Sequence, residues 1–169
     1  MHIEFLNAKD VNRYRSLMLQ AYEQAPDAFK SSVEERAAEP DSWWKKRIGE
    51  PGGNGVAFGA FVEKELVGTV ALQFSSKPKI KHRVQLIGMF VLPSSQGAGI
   101  GRALLEAAVQ HARERDGTRS IVLTVTEGNA PAIYLYEACG FVAFGSEPMA
   151  IRTSNGFKAK VHMCKILVE

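Results

Sequence analysis

Gln96-Gly97-Ala98-Gly99-Ile100-Gly101 lies between an apolar run ending at Val91 and an amphipathic pattern starting at Ile100, and the fold is read outward from it. Glycines at alternate positions leading into a helix make a concave set of backbone N–H groups suited to an anion, phosphate above all. A β-carbon there would hold a diphosphate off the backbone, and the helix dipole adds favourable charge at its N-terminus. Arg102, in the first turn, can pair with a phosphate oxygen. A glycine-rich turn that merely caps a helix fits the same residues.

The spacing excludes two other phosphate loops. A P-loop ends in Gly-Lys-Ser/Thr, whereas Gly101 is followed by Arg102-Ala103. A dinucleotide fingerprint needs a glycine three positions after its second, which here is Arg102, and its glycines should follow the strand almost directly. Leu92-Pro93-Ser94-Ser95 intervenes, and the unit lies mid-chain; only Glu127 falls near the place of a ribose-binding acid.

Downstream, Ile100, Leu104, Ala107, Ala108, His111 and Ala112 share one face opposite Glu106, Gln110, Arg113 and Glu114. This pattern predicts a helix over 100–115, stopped by Asp116-Gly117. Ile121 to Val125 reads as a central strand, so strand, loop, helix and strand make a parallel crossover. A short helix over 130–138, a strand over 141–144 and a final strand over 157–168 follow. Upstream, 84–91 is a strand, and 56–62 and 66–74 form a hairpin closed by Glu63-Lys64-Glu65. Residues 2–6 suit an edge strand, and Asn7-Ala8-Lys9-Asp10 caps a helix carrying Val11, Tyr14, Leu17, Met18 and Ala21. Beyond Pro26, Ser31 or Ser32 can cap a second helix. An irregular helical stretch with Pro40, Trp43, Trp44 and Ile48 ends at Glu50-Pro51-Gly52-Gly53.

The 169 residues, 46% hydrophobic, suit one globular domain spanning 1–169 without disulfides or metals. Cys139 and Cys164 sit in apolar runs with no metal-binding spacing and read as buried thiols. A net charge of +3 does not make a nucleic-acid footprint, and the basic stretch Lys77 to Arg83 reads as a solvated loop. No apolar run approaches the ~18 residues of a membrane span, and the N-terminus shows no leader pattern. The expectation is a cytoplasmic protein with neither membrane nor nucleic acid as partner.

Taken together, the loop and its flanks resemble the GNAT superfamily of N-acetyltransferases. The family's coenzyme A loop, Gln/Arg-x-x-Gly-x-Gly/Ala, is matched by Gln96 to Gly101. Met89-Phe90-Val91-Leu92-Pro93 resembles its fourth strand, and Asn129-x-x-Ala132-x-x-Leu135-Tyr136-x-x-x-Gly140-Phe141 its later motif. The resemblance covers 84–144. It implies an α/β (α+β) fold with a mixed, mostly antiparallel sheet of six to seven strands, about four helices, and splayed strands four and five. It also implies acetyl-CoA as cosubstrate, with the pantetheine arm along Met89, Phe90 and Val91 like an added strand. The backbone of Gln96, Gly97, Ala98, Gly99, Ile100, Gly101 and Arg102 would hold the pyrophosphate, and Asn129 would bond the cofactor arm or cap the next helix. Tyr136 occupies the family's general-acid position, and the strand backbone near Phe90 is the candidate oxyanion donor.

Some relatives carry a glutamate base on strand four or five, where this chain has Gln85 and Thr124. Glu127 and His82 remain as candidate bases, beside deprotonation through an ordered water. Acceptor choice is expected from 20–35 and 146–162; Phe29 could stand at a pocket wall and Asp27 or Glu23 near a cationic amine, but a packed aromatic and solvated acids are the preferred readings. Trp43 and Trp44 read as packing residues, Tyr134 as structural, and neither His162 nor Met163 is given a role. The expected function is acetyl transfer to a primary amine of a small molecule or amino acid, without metal or covalent intermediate. The alternatives are a catalytically silent acyl-CoA-binding module, or acetylation of a protein N-terminus or lysine. An exposed strand at the splayed edge allows a homodimer.

Overall fold

The computed structural model describes residues 1–49 and 54–167. The turn expected at Glu50 to Gly53 and the end of the last strand at Val168 lie outside the described residues. Strands β1 (His2–Phe5), β2 (Gly55–Val62), β3 (Glu65–Gln73), β4 (Arg83–Val91), β5 (Ser120–Thr126), β6 (Val142–Thr153) and β7 (Gly156–Ile166) form one sheet in the order β1-β2-β3-β4-β5-β7-β6. β4 and β5 run parallel, joined by a crossover connection through a helix. Every other neighbouring pair is antiparallel.

The helices are α1 (Val11–Gln24), α2 (Val33–Ala37), α3 (Asp41–Arg47), α4 (Ile100–Glu114) and α5 (Ala130–Ala138). Five stand among the described residues where about four were expected. Ser32 caps α2 by accepting from the Glu35 N–H, and Pro40 separates it from α3, so one irregular helical stretch becomes two short helices. On one face of the sheet, Ile100, Leu104, Leu105, Ala108 and Ala112 of α4 pack with Val70, Leu72, Val84, Leu86, Ile121 and Leu123. Each buried leucine or isoleucine there contributes about 1.5–3 kcal/mol. On the other face, Tyr14, Leu17, Met18 and Ala21 of α1 pack with Trp44, Ile48, Phe61, Ala71 and Phe90.

The site depends on a break in this sheet. β4 pairs with β5 only over Arg83 to Gln85 against Ser120 to Val122. Beyond Gln85 the strands part. A β-bulge helps them do so: the register moves from Ala71↔Ile87 to Thr69↔Phe90, inserting one extra residue in β4 at Gly88-Met89. Gly88 has φ +62°, which a glycine adopts without strain.

The end of the chain departs from expectation. The strand placed at 141–144 runs from Val142 to Thr153, with β7 as its hairpin partner. Gly145 and Pro148 give that segment a loop composition, but β6 is an edge strand, where a missing N–H costs no ladder bond on the open side.

Candidate acetyl-transfer site

Gly99 is the N-cap of α4, in the left-handed region at φ +78°, and offers no side-chain acceptor to the helix. The first helical bond is from the Ala103 N–H to the Gly99 carbonyl. Consequently the backbone N–H groups from Gly97 to Arg102 have no acceptor among the described residues. Gly97 also has positive φ, and a β-carbon at Gly97 or Gly99 would meet nothing within 4 Å, so the loop is open to solvent. Gly101 differs: a β-carbon there would lie 3.3 Å from Leu135 and 3.4 Å from Met89, which makes it a packing glycine between β4 and α5. The Gln96 side-chain amide donates to the Val91 carbonyl at 3.1 Å and ties the loop to the end of β4. Arg102 does not aim its guanidinium into the loop, since Nε is bound to Glu106 at 2.8 Å on the exposed face of α4.

A cavity of about 290 Å3 opens where β4 and β5 part, with Gly88 and Met89 on one wall and Thr124, Val125 and Thr126 on the other. Asn129 and Tyr136 line it from α5 and the turn before it. Asn129 does cap α5, its Oδ1 accepting from the Ala132 N–H at 3.4 Å. Tyr136 is 6% exposed, its ring edge-on to Phe141 at 5.9 Å. Burial pushes its phenol up to about 12. Of the strand residues expected to meet a cofactor, Met89 and Val91 pack toward the α4 face, whereas Phe90 packs toward the α1 face.

On the α1 face the cavity continues into a wider chamber of about 840 Å3 under α3, sharing Lys30, Arg47, Gln73, Gln85, Ile87 and Thr124 with it. Gln85 and Thr124 therefore do face the reaction space. Neither candidate base does. Glu127 is spent on β7, its carboxylate accepting from the Ala159 N–H at 3.0 Å. His82 is exposed and precedes β4 at the end where β4 and β5 are paired. Phe29 does line the cavity, edge-on to Tyr22 at 4.9 Å, while Asp27 is held by Lys158 at 3.3 Å and Glu23 is exposed and outside it. Trp44 is fully buried; Trp43 is half-buried and lines the chamber, with the guanidiniums of Arg36 and Arg47 4.4 and 4.8 Å from its ring. Met163 is core, and His162 lines the chamber with its ring 3.4 Å from Glu147.

Lys160 has no counterpart among the residues expected to matter. It is 3% exposed, lines the cavity, and donates to the Ala28 carbonyl at 3.3 Å. Burial, and then Lys30 nearby, push its ammonium below the usual lysine range. Its signal in the sequence is a charge at an inward position of a strand whose neighbours Ala159 and Val161 are apolar.

The described residues thus form a seven-stranded sheet parted at its one parallel pair, with a free-donor glycine loop beside the gap. The model of the Acetyltransferase (GNAT) family matches residues 17–141, and the chain belongs to that family. It is 39% identical over 90 residues to a streptothricin acetyltransferase of Streptomyces lavendulae, covering 53% of this chain and 44% of that protein. It is also 42% identical over 57 residues to a mycothiol acetyltransferase of Thermomonospora curvata, covering 34% of this chain and 19% of that protein. The chain thus spans less than half the length of these relatives. Among solved structures, a GNAT-family acetyltransferase of Streptococcus pneumoniae superposes with a TM-score of 0.84 at 22% identity, covering 98% of this chain and 99% of that one. Salmonella typhimurium yncA, solved with its cofactor acetyl-CoA, gives a TM-score of 0.83 at 20% identity over 100% of this chain and 95% of that one. No helix among the described residues is long and apolar enough to cross a membrane.

Proposed function

We propose that the protein transfers the acetyl group of acetyl-CoA to a primary amine of a small molecule or amino acid. The observation that carries this is the gap between β4 and β5, with Tyr136 inside it and the unsatisfied N–H groups of Gly97 to Arg102 at its edge. The residues fit the cosubstrate. The loop offers a diphosphate its donors, the unpaired side of β4 from Leu86 to Val91 offers a pantetheine arm a strand edge, and Asn129 retains its side-chain NH2 for that arm.

The amine, entering from the α1 face as the free base, attacks the thioester carbonyl carbon, and a β4 backbone N–H near Phe90 holds the developing oxyanion. Collapse breaks the C–S bond. Tyr136 gives its proton to the departing sulfur, and the proton shed by the new amide nitrogen returns to the phenolate. Because burial holds this phenol up to about 12, its proton is in place throughout the neutral range.

The test is release of free thiol from acetyl-CoA by the purified protein over a panel of amines, beside a titration with coenzyme A. Coenzyme A binding together with amine-dependent thiol release is the expected result. Binding without release from any amine would favour a silent acyl-CoA-binding module, and absence of binding would overturn both.

A further inference from the structure

Six cationic side chains, Lys30, Arg36, Lys46, Arg47, Arg83 and Lys160, line the two joined chambers, and among the described residues no carboxylate lines either. Arg36 has Glu39 at 3.9 Å and Lys160 has the Ala28 carbonyl, but Lys30 and Arg47 have no ion pair among the described residues. Arg47 Nε is also buried without a hydrogen-bond partner. Stacking on Trp43 holds the Arg36 and Arg47 guanidiniums in place without neutralising them.

These charges are not accounted for by the cosubstrate's diphosphate. Its donors are the loop N–H groups at the start of α4, on the opposite face of the sheet, and neither Gln96 nor any residue through Arg102 lines the two chambers. A chamber built to receive a cationic amine would carry acids; this one repels such a guest.

We infer that the acetyl acceptor is an amine bearing its own carboxylate, which Arg47 and Lys30 bind where the two chambers meet, leaving the amino group facing the gap between β4 and β5. This rests on the acetyl-transfer reading. Arg47 supplies a planar fork that matches a carboxylate, and Lys30 a second, mobile charge. The same field supplies what the absent acid base would have done. Burial and the surrounding cations disfavour the acceptor's ammonium, as burial and then Lys30 disfavour that of Lys160, so it loses its proton to solvent through the open chamber before attack.

The experiment compares matched acceptors with the full chain and acetyl-CoA: phenylalanine with phenethylamine, leucine with 3-methylbutylamine, and β-alanine with ethylamine. For at least one pair, kcat/KM for the acid should exceed that for the amine ten-fold or more. Arg47→Gln, and separately the exposed Lys30→Gln, should cut that ratio at least five-fold through the KM of the acid. Amines acetylated as well as their acids would overturn the inference while leaving acetyl transfer intact. Calorimetry on the coenzyme A complex supplies a readout independent of turnover. Acid binding that weakens in both variants supports the inference, and binding that ignores the carboxylate overturns it.

Discussion

The Thr126 hydroxyl donates a hydrogen bond of 2.6 Å to the backbone carbonyl of Asp27, 99 residues earlier in the chain. It fastens the short 3-10 turn Pro26–Ala28 to the end of β5, at the rim of the cavity. Lys158 and Lys160 hold the same turn through the Asp27 carboxylate and the Ala28 carbonyl. Thr126→Val keeps the shape and removes the donor. It is expected to cost about 1 kcal/mol in stability and to raise the acceptor KM several-fold with little change in coenzyme A affinity. Urea denaturation, steady-state kinetics and a coenzyme A titration check these three consequences separately.

Tyr136→Phe keeps the ring against Phe141 and removes only the hydroxyl. With the phenol as proton donor to sulfur, turnover should fall by about ten-fold or more, while acetyl-CoA binding stays close to that of the parent. An unchanged turnover number would remove Tyr136 from the chemistry.

The same hydroxyl makes stability sensitive to alkali. Its folded pKa, about 12, lies above the ordinary 10.0 because burial disfavours the phenolate. Between those values the folded chain keeps a proton that the unfolded chain has lost. The contribution is therefore complete below pH 10 and is lost as pH rises through 12. Two units correspond to about 3 kcal/mol. Buried Tyr14 is shifted in the same direction, chiefly by desolvation. Urea midpoints should fall progressively above pH 10, and less steeply in Tyr136→Phe; a pH-independent midpoint between 9 and 11 would contradict this.

Gly88→Ala places a β-carbon in the left-handed region. Its nearest contacts, Met18 Cε and Tyr14 Oη, both lie at an ordinary 3.9 Å, so the penalty is one of backbone conformation. A loss of about 1–2 kcal/mol is expected. If the bulge relaxes to relieve that strain, β4 straightens and coenzyme A binding weakens as well, which a denaturation curve and a titration on the same sample would show.

Most of the frame was legible because local patterns and tertiary packing agree there. The apolar face of α4, the Glu63-Lys64-Glu65 hairpin and the β-branched run of β5 each admit one arrangement. The edge strand β6 was not legible beyond Phe144, because Gly145-Ser146-Glu147-Pro148 has a turn's composition; pairing with β7 holds Gly145 to Glu147, and Pro148 falls in the register shift before Ile151. Gly88 carried a usable signal, since an isolated glycine inside a strand often marks a bulge. The site divided along the same line. The glycine loop could be read from spacing and Tyr136 was singled out by its likeness to the family's later motif, whereas the chamber's cations come from α2, α3, β4, β7 and a loop, and no single stretch of sequence shows them converging.

The three-residue seam between β4 and β5 leaves few cross-strand bonds joining β1 to β4 with β5 to β7. What holds the two parts of the sheet together is the core under α4 and the bonds from Thr126, Lys158 and Lys160 to the Pro26–Ala28 turn. A coenzyme arm wedged into the gap would act as a keystone. Amide protons along Leu86 to Val91 should exchange with deuterium much more slowly once coenzyme A is added, and those of the distant β1–β2 ladder should hardly respond.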